Sequence, residues 1–247
     1  MKNSDILFQC KNITKTFGGL AAVQDASFKI YEGEVVGLIG PNGAGKTTLF
    51  NVMTGVLKAN KGQLFFRGEE ITKSKAHEIS RMGVARTFQL MRAFEEMTVV
   101  ENVITGGAFG AGKPHIEAEE DGRKYLDFVG LDDYESTSVS NLTPFDRKKV
   151  ELASVLNTDP DLLLLDELVA GLNEAELGDA IDLAKRIRSE LGITLFWIEH
   201  VMRAIMSVAE RIIVLHRGEV IANGPPKEIS RDEDVIAAYL GQEYVQE

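Results

Sequence analysis

Residues 35–47 have the sequence VVGLIGPNGAGKT, which is the strongest indication of the fold of this chain. Its first five residues form a continuous, mostly β-branched apolar run, which is typical of a strand covered on both faces of a parallel sheet. Residues 40–47 then match the pattern G-x-x-x-x-G-K-[ST] at every fixed position. Glycines at this spacing let successive backbone N–H groups point at phosphate oxygens, and the helix predicted to follow adds the positive end of its dipole. The stretch therefore predicts a bound nucleotide.

The last residues of this loop have separate predicted roles. We expect Lys46 to reach the β- and γ-phosphates and the Thr47 hydroxyl to ligate Mg²⁺. A glycine turn that only joins a strand to a helix is the alternative, but such a match arises by chance in on the order of one in a hundred chains of this length. The predicted nucleotide contacts are Gly40, Pro41, Asn42, Gly43, Ala44, Gly45, Lys46, Thr47 and Thr48.

A second apolar run ends in two acids and supplies the other half of the predicted site. Residues 162–165 are four leucines, and Asp166 and Glu167 follow directly. A buried parallel strand with this ending places its carboxylates at the carboxyl edge of the sheet, where open α/β sheets bind ligands. Asp166 would hold Mg²⁺ through its water shell, and Glu167 would act as general base on the attacking water. Taken alone, the run is better explained as a strand followed by an acidic helix start; beside the glycine loop, the catalytic explanation is favoured.

Two further polar residues follow apolar or strand-like stretches. His200 comes after the apolar run at residues 194–198, and a neutral imidazole there could hydrogen-bond the γ-phosphate. A histidine in this position is more often a helix-capping or surface residue. Gln89 follows Arg86, Thr87 and Phe88 and could meet Mg²⁺ and water, although a lone glutamine is weak evidence.

The remaining pattern predicts an α/β fold that is interrupted by a helical insertion. Strand signals dominate the first seventy residues, and helical patterns at residues 116–129 and 147–156 replace them. The glycine-rich residues 106–112 are expected to form a flexible loop. Later apolar runs at residues 162–165, 194–198 and 212–215 alternate with helical stretches at residues 174–191 and 201–209, which implies a parallel sheet with right-handed crossovers. We therefore predict one domain over residues 1–247, with a core from residues 1–90 and 158–247 and a helical subdomain over residues 91–157.

Composition excludes several classes of function. The 247 residues carry a formal net charge of −11, which disfavours a nucleic-acid partner because the phosphate backbone attracts basic surfaces. A single cysteine, Cys10, excludes a disulfide framework and a thiolate-only zinc site. Apolar stretches are short compared with the roughly 20 residues of a spanning helix. Any membrane role is therefore expected to come through a partner.

The order of these motifs resembles that of the ATP-binding subunits of ATP-binding-cassette (ABC) transporters, over essentially the whole chain. The resemblance implies ATP and Mg²⁺ as cofactors. It also implies a P-loop NTPase core with a mainly parallel sheet, an N-terminal antiparallel β subdomain and an inserted helical subdomain. Phe17 occupies the position where the family stacks an aromatic ring on adenine. The implied catalytic residues are Glu167, His200 and Gln89, and the implied magnesium ligands are Thr47, Gln89 and Asp166.

Within that family, residues 86–89, 97–103 and 170–173 look most like the first of the two ATPases of branched-chain amino acid importers. The resemblance implies polytopic membrane subunits, a second ABC ATPase and a periplasmic or extracellular binding protein as partners. It also implies a peripheral location at the cytoplasmic face of the inner membrane. The ATPases of lipopolysaccharide, urea and aromatic-acid transporters share much of this pattern and stay open as alternatives.

One motif departs from the family. Its signature, Leu-Ser-Gly-Gly-Gln, falls here on Leu142-Thr143-Pro144-Phe145-Asp146, so only the hydroxyl is retained. Proline has no N–H to offer a phosphate, and phenylalanine prevents the close backbone approach that glycine allows. We interpret the segment as a structural helix start with impaired phosphate binding, rather than as a rearranged phosphate contact. Because a homodimer would carry this defect in both sites, we predict a heterodimer with an ATPase that has an intact signature.

Functions of other classes are less consistent with the sequence. A soluble ABC ATPase acting in DNA repair or translation would not require a membrane partner, but the acidic balance and the lack of coiled-coil heptads or zinc cysteines disfavour it. A small GTPase is disfavoured because residues 60–63 lack the aspartate that would read guanine. A purely structural adaptor would be expected to carry a damaged phosphate loop, and this loop is intact.

Overall fold

The computed structural model describes residues 5–87 and 93–243 of the chain. In this part, six strands form one sheet in the order β10-β9-β3-β8-β7-β6, and four form a second sheet in the order β2-β1-β4-β5. The first sheet comprises β3 (Val35–Ile39), β6 (Val84–Arg86), β7 (Leu162–Asp166), β8 (Thr194–Ile198), β9 (Arg211–His216) and β10 (Glu219–Gly224). The second comprises β1 (Ile6–Phe17), β2 (Leu20–Tyr31), β4 (Lys61–Phe66) and β5 (Glu69–Glu70).

Helices cover the sheets and connect their strands. They are α1 (Lys46–Met53), α2 (Ala76–Arg81), α3 (Val99–Thr105), α4 (His115–Val129), α5 (Pro144–Leu156), α6 (Glu174–Leu191), α7 (Met202–Val208), α8 (Pro226–Ile229) and α9 (Glu233–Glu243). All pairings in the first sheet are parallel except that of β9 with β10. All pairings in the second sheet are antiparallel. The predicted α/β class, with a mainly parallel sheet and an N-terminal antiparallel sheet, is confirmed.

The parallel sheet lies between two apolar cores because its strands are apolar on both faces. Every residue of β3, β7 and β8 is buried. Side chains alternate along a strand, so Leu162 and Leu164 pack in the core that includes α1 and the antiparallel sheet, whereas Leu163 and Leu165 pack against α5 and α6. This is the packing expected of a parallel strand with a continuous apolar sequence.

The helical middle differs from its prediction in one segment. Residues 106–112 were expected to form a flexible loop, but Gly106–Ala111 is a turn of π-helix that continues α3. A Cβ on Gly106 would lie 1.9 Å from the carbonyl oxygen of Ser154, so the glycine allows two backbones to approach closely. Buried Asn157 fastens the neighbouring helices by donating to the carbonyl oxygens of Val103 and Ala118 at 2.9 and 2.8 Å.

The predicted boundaries of the helical subdomain at residues 91 and 157 stay a prediction, since residues 88–92 lie outside the described part. Between residues 93 and 157 the structure describes helices, turns and an isolated bridge that joins Thr98 to Ser138. Among the described residues, no helix combines the length and the apolar character needed to cross a membrane.

Candidate nucleotide-binding site

Three adjacent parallel strands bring the predicted site residues to one edge of the sheet. Strand β8 pairs with β3 on one side and β7 on the other, so the segments after all three strands meet at their carboxyl ends. A cleft of about 300 Å³ opens there. Its lining is Ala22, Asn42, Gly43, Ala44, Gly45, Lys46, Thr47, Thr48, Glu167 and His200. Of these residues only Ala22 was not predicted, because its strand carries no motif.

The glycines of the loop are needed for different structural reasons. Gly40, Gly43 and Gly45 all adopt positive φ angles, of 154°, 77° and 104°. A Cβ on Gly40 would lie 2.0 Å from the carbonyl oxygen of Leu215, and one on Gly45 would lie 2.1 Å from that of Ala22. A Cβ on Gly43 would meet nothing within 4 Å. Gly40 and Gly45 therefore allow the loop to pack closely against neighbouring backbone. Gly43 leaves the backbone accessible from the cleft.

Lys46 is held by the loop itself. It is the first residue of α1, is 5% exposed, and its Nζ donates to the carbonyl oxygens of Gly40 at 2.6 Å and Pro41 at 3.0 Å. Burial lowers the pKa of Lys46, and the nearby carboxylates of Glu167 and Asp166 oppose that shift. A phosphate in the cleft would offer the ammonium a charged acceptor, which binds more strongly than a carbonyl oxygen.

Glu167 and His200 are in contact at the opposite wall of the cleft. The His200 Nε2 atom lies 3.0 Å from Oε1 of Glu167. Glu167 has a φ of 54°, the left-handed backbone region that a residue with a side chain rarely adopts. Its N–H donates to the carbonyl oxygen of Ile198 at 3.0 Å. Glu167 lines the cleft together with residues 42–48, so a water molecule bound there could meet its carboxylate, as general-base catalysis requires.

Asp166 offers a free carboxylate oxygen at the same edge. Its side chain is buried, and its Oδ2 accepts a hydrogen bond from Nη2 of Arg86 at 2.5 Å. Its Oδ1 is also buried and has no hydrogen-bond partner among the described residues. A buried carboxylate oxygen without such a partner, at the edge of the sheet where Thr47 lines the cleft, fits a hydrated Mg²⁺ ion, which keeps several of its waters. Arg86 was not predicted as a partner of Asp166, since the two residues are 80 positions apart.

Of the predicted site residues in the described part of the chain, Gly40, Pro41, Asp166 and Phe17 do not line the cleft. The Phe17 ring lies at the end of β1, is 49% exposed and has Lys15 Nζ at 5.2 Å from its centre. Gln89 lies outside the described residues. The roles predicted for Phe17 and Gln89 therefore rest on the sequence.

The altered signature forms the first turn of α5. Thr143 is the N-cap residue, and its Oγ1 accepts the Asp146 N–H at 3.1 Å while its hydroxyl donates to the Asp146 carboxylate at 2.7 Å. Lys149 neutralises Asp146 at 2.6 Å. Phe145 is 6% exposed and packs in the core. The capping groups of this helix start are therefore engaged with one another, as expected for a structural role.

Comparison with known proteins adds to this geometry. A family model described as ABC transporter matches residues 23–170, and one described as branched-chain amino acid ATP-binding cassette transporter matches residues 219–245. The chain is 37% identical to the high-affinity branched-chain amino acid transport ATP-binding protein LivG of Escherichia coli, with 97% of this chain and 99% of that protein covered. It is 39% identical to the corresponding protein BraF of Pseudomonas aeruginosa, with coverage of 96% and 98%.

A solved structure shows the same fold. The chain superposes with a TM-score of 0.87 and 29% identity on the ADP conformation of an ATP-binding cassette of an ABC transporter. The match covers 96% of this chain and 100% of the other.

Proposed function

The chain belongs to the ABC transporter family, and from this premise we propose that it is the ATP-hydrolysing subunit of a transporter that imports branched-chain, hydrophobic amino acids. The observation that carries the proposal is that Lys46, Glu167 and His200 all line one cleft. The substrate class is supported by the match at residues 219–245 and by the names of the similar proteins.

The cleft residues account for each part of the hydrolysis. The N–H groups of residues 42–48 and the Lys46 ammonium bind the phosphates of ATP and neutralise their charge. Glu167 takes a proton from a water molecule, whose oxygen attacks the γ-phosphorus as the bond to the bridging oxygen of ADP breaks. Bound Mg²⁺ would neutralise charge on the phosphate oxygens, and Thr47, Gln89 and, through water, Asp166 would hold it.

His200 has a supporting role in this scheme. Its Nε2 contacts the Glu167 carboxylate, so the imidazole orients the base, and its ring can also hydrogen-bond the γ-phosphate. Phe17 would stack on adenine from its exposed position at the end of β1. Gln89, which lies outside the described residues, would also orient the attacking water.

The altered signature supports an asymmetric heterodimer. In the family's head-to-tail dimer, each nucleotide lies between one subunit's phosphate loop and the other's signature. Here the signature hydroxyl of Thr143 is engaged with Asp146, and Pro144 offers no N–H. A second ABC ATPase with an intact signature would complete the site built on Lys46 and Glu167. The purified chain alone would then have weak ATPase activity, and brisk, cooperative hydrolysis by it would refute the heterodimer.

Energy coupling requires contact with the membrane subunits. A groove of about 170 Å³ is bordered by Arg86, Phe94 and residues of α5, and Phe94 is 56% exposed. This exposure supports a docking surface at Phe94 over burial of its ring in a local core. A short helix of a polytopic membrane subunit would bind here, so the chain would lie at the cytoplasmic face of the inner membrane. A periplasmic or extracellular binding protein would deliver the substrate.

The decisive experiment is Glu167→Gln in the assembled transporter. ATP binding should persist, while turnover should fall by about 10²–10⁴-fold because the general base is lost. Glu190→Gln, the same chemical change on an exposed helix residue outside the cleft lining, is the control and should hydrolyse ATP at the wild-type rate. A wild-type rate for Glu167→Gln would refute the base assignment.

Uptake assays then identify the transported substrate. Proteoliposomes that hold the complex should take up leucine in an ATP-dependent manner and should not take up urea or aromatic acids. Uptake of one of these, or export of lipopolysaccharide, would assign the chain to another transporter. Failure to associate with any polytopic membrane protein would favour a soluble ABC ATPase.

A further inference from the structure

The segment that follows Glu167 is held by a lysine from a distant helix. Lys148, in α5, donates through Nζ to the carbonyl oxygens of Leu168 at 2.9 Å, Ala170 at 2.8 Å and Glu167 at 3.4 Å. Three carbonyl acceptors match the three N–H donors of an ammonium group. Lys148 therefore binds this short stretch of backbone as one unit.

A buried carboxylate also holds the same segment. Glu199 is 1% exposed, and its Oε1 accepts the N–H of Val169 at 2.9 Å and the indole N–H of Trp197 at 3.2 Å. Its Oε2 accepts the N–H of His200 at 3.2 Å. The segment after the base is thus joined both to α5 and to the residue that precedes His200.

Both charged groups lose contact with water when they make these contacts: Glu199 is buried and Lys148 is half-buried. Burial raises the pKa of Glu199, and burial lowers the pKa of Lys148, a shift that the nearby Glu199 carboxylate opposes. Removing an ammonium and a carboxylate from water costs free energy. We explain their presence here by the backbone segment that they orient. Glu167 has a φ of 54°, and a residue with a side chain stays in that region only when its surroundings over-determine it.

We propose that Lys148 is a positioning residue for ATP hydrolysis: its ammonium holds the backbone after Glu167 so that the Glu167 carboxylate stays beside His200 and faces the phosphate loop. The inference rests on the proposed function, in which Glu167 is the general base. It gives Lys148 an effect on turnover and none on nucleotide binding, since Lys148 does not line the cleft among the described residues. Because α5 begins at the altered signature, the contact made by Lys148 also links the signature helix to the general base.

The test uses Lys148→Met and Lys148→Arg in the assembled transporter, with steady-state ATP hydrolysis and equilibrium ATP binding as readouts. Lys148→Met should lower kcat by roughly 10–100-fold, the usual effect of a misplaced catalytic group, while KM and ATP affinity stay near wild type. Lys148→Arg, which keeps a cation with several donors, should restore most of the rate. Lys113→Met is the matched control, because the Lys113 side chain is buried and its ammonium pairs with Asp121 and Asp159, which do not line the cleft. It should melt earlier and keep its kcat.

A double-mutant cycle separates positioning from general destabilisation. If Lys148 acts through Glu167, adding Lys148→Met to Glu167→Gln should change the residual rate by less than about twofold. An equal loss in both backgrounds, or a Lys148→Met kcat within about twofold of wild type, would overturn the proposal. If Lys148→Met does not fold, Lys148→Gln replaces it with the same readouts. A fully active Glu167→Gln would instead refute the proposed base and leave a Lys148→Met defect to be explained otherwise.

Discussion

Phe145→Gly, which would restore a glycine to the altered signature, should destabilise the chain severely. Phe145 is 6% exposed and packs in the core that contains α5 and α6. Truncating a buried phenylalanine to alanine costs about 3–5 kcal/mol, and glycine in place of alanine in a helix adds roughly 0.5–1 kcal/mol. The loss of about 3.5–6 kcal/mol is a large part of the 5–15 kcal/mol that stabilises a typical domain. The first effect of this change is therefore on folding.

Pro144→Gly should behave differently. Pro144 is exposed at the first position of α5, so its removal opens no cavity and should cost less than about 1 kcal/mol. Restoring the missing N–H at residue 144 alone is therefore the usable test of the signature. If the signature limits hydrolysis by the isolated chain, Pro144→Gly should raise its ATPase rate, whereas the double change at residues 144 and 145 should mainly unfold it.

Urea unfolding followed by Trp197 fluorescence measures these effects, because Trp197 is fully buried and the chain has one tryptophan. Phe109→Gly is the matched control, since Phe109 is 81% exposed and the same side chain is deleted. It should change the unfolding free energy by about 1 kcal/mol or less. A Phe145→Gly variant as stable as Phe109→Gly would refute the reasoning and show that the first turn of α5 repacks without cost.

Two further outcomes are expected. Phe94→Asp should leave the isolated chain folded and able to bind ATP, because the Phe94 ring is 56% exposed. The same change should abolish transport by the reconstituted complex. A lower melting temperature of the isolated variant would instead indicate that Phe94 belongs to a local core. The hydrogen bond from Lys113, followed by that from Lys124, lowers the pKa of Asp121 in the folded chain. The ionised Asp121 therefore stabilises the fold fully above its unfolded pKa, which is about 3.9, and this stabilisation is lost as the pH falls through the lower folded pKa. Asp121→Asn should therefore lose stability at pH 7 and show a weaker fall in urea midpoint between pH 5 and 2 than wild type; parallel curves for the two proteins would contradict this.

The features that the sequence predicted are those with a local signal. The apolar runs at Val35–Ile39 and Thr194–Ile198 predicted strands with the bounds that the structure has, because a strand buried on both faces needs a continuous apolar sequence. The α6 helix, Glu174–Leu191, was predicted over the same residues. The glycine loop and the acids after residue 165 predicted one site, since parallel strands end at a common edge. The predicted family is confirmed.

Other features depend on contacts between distant parts of the chain. Strand β1 was not predicted as an individual strand, because shifts in its pairing with β2 break the alternation of apolar side chains. The π-helical turn at Gly106–Ala111 forms where glycines pack against Ser154 and Asn157, and local propensity alone favours a loop.

The same division applies to the candidate site. The residues that can carry the chemistry are recognisable from the chain alone, because glycine, lysine, threonine and carboxylates at these spacings act through their own backbone and side-chain atoms. How these residues are held depends on the folded structure: Arg86 binds Asp166, Lys148 binds the backbone after Glu167, and Glu199 joins that segment to His200. These partners are brought together by strand order and helix packing. A lysine or glutamate on a helix or strand carries no local mark of the distant carbonyl or N–H group that it will bind.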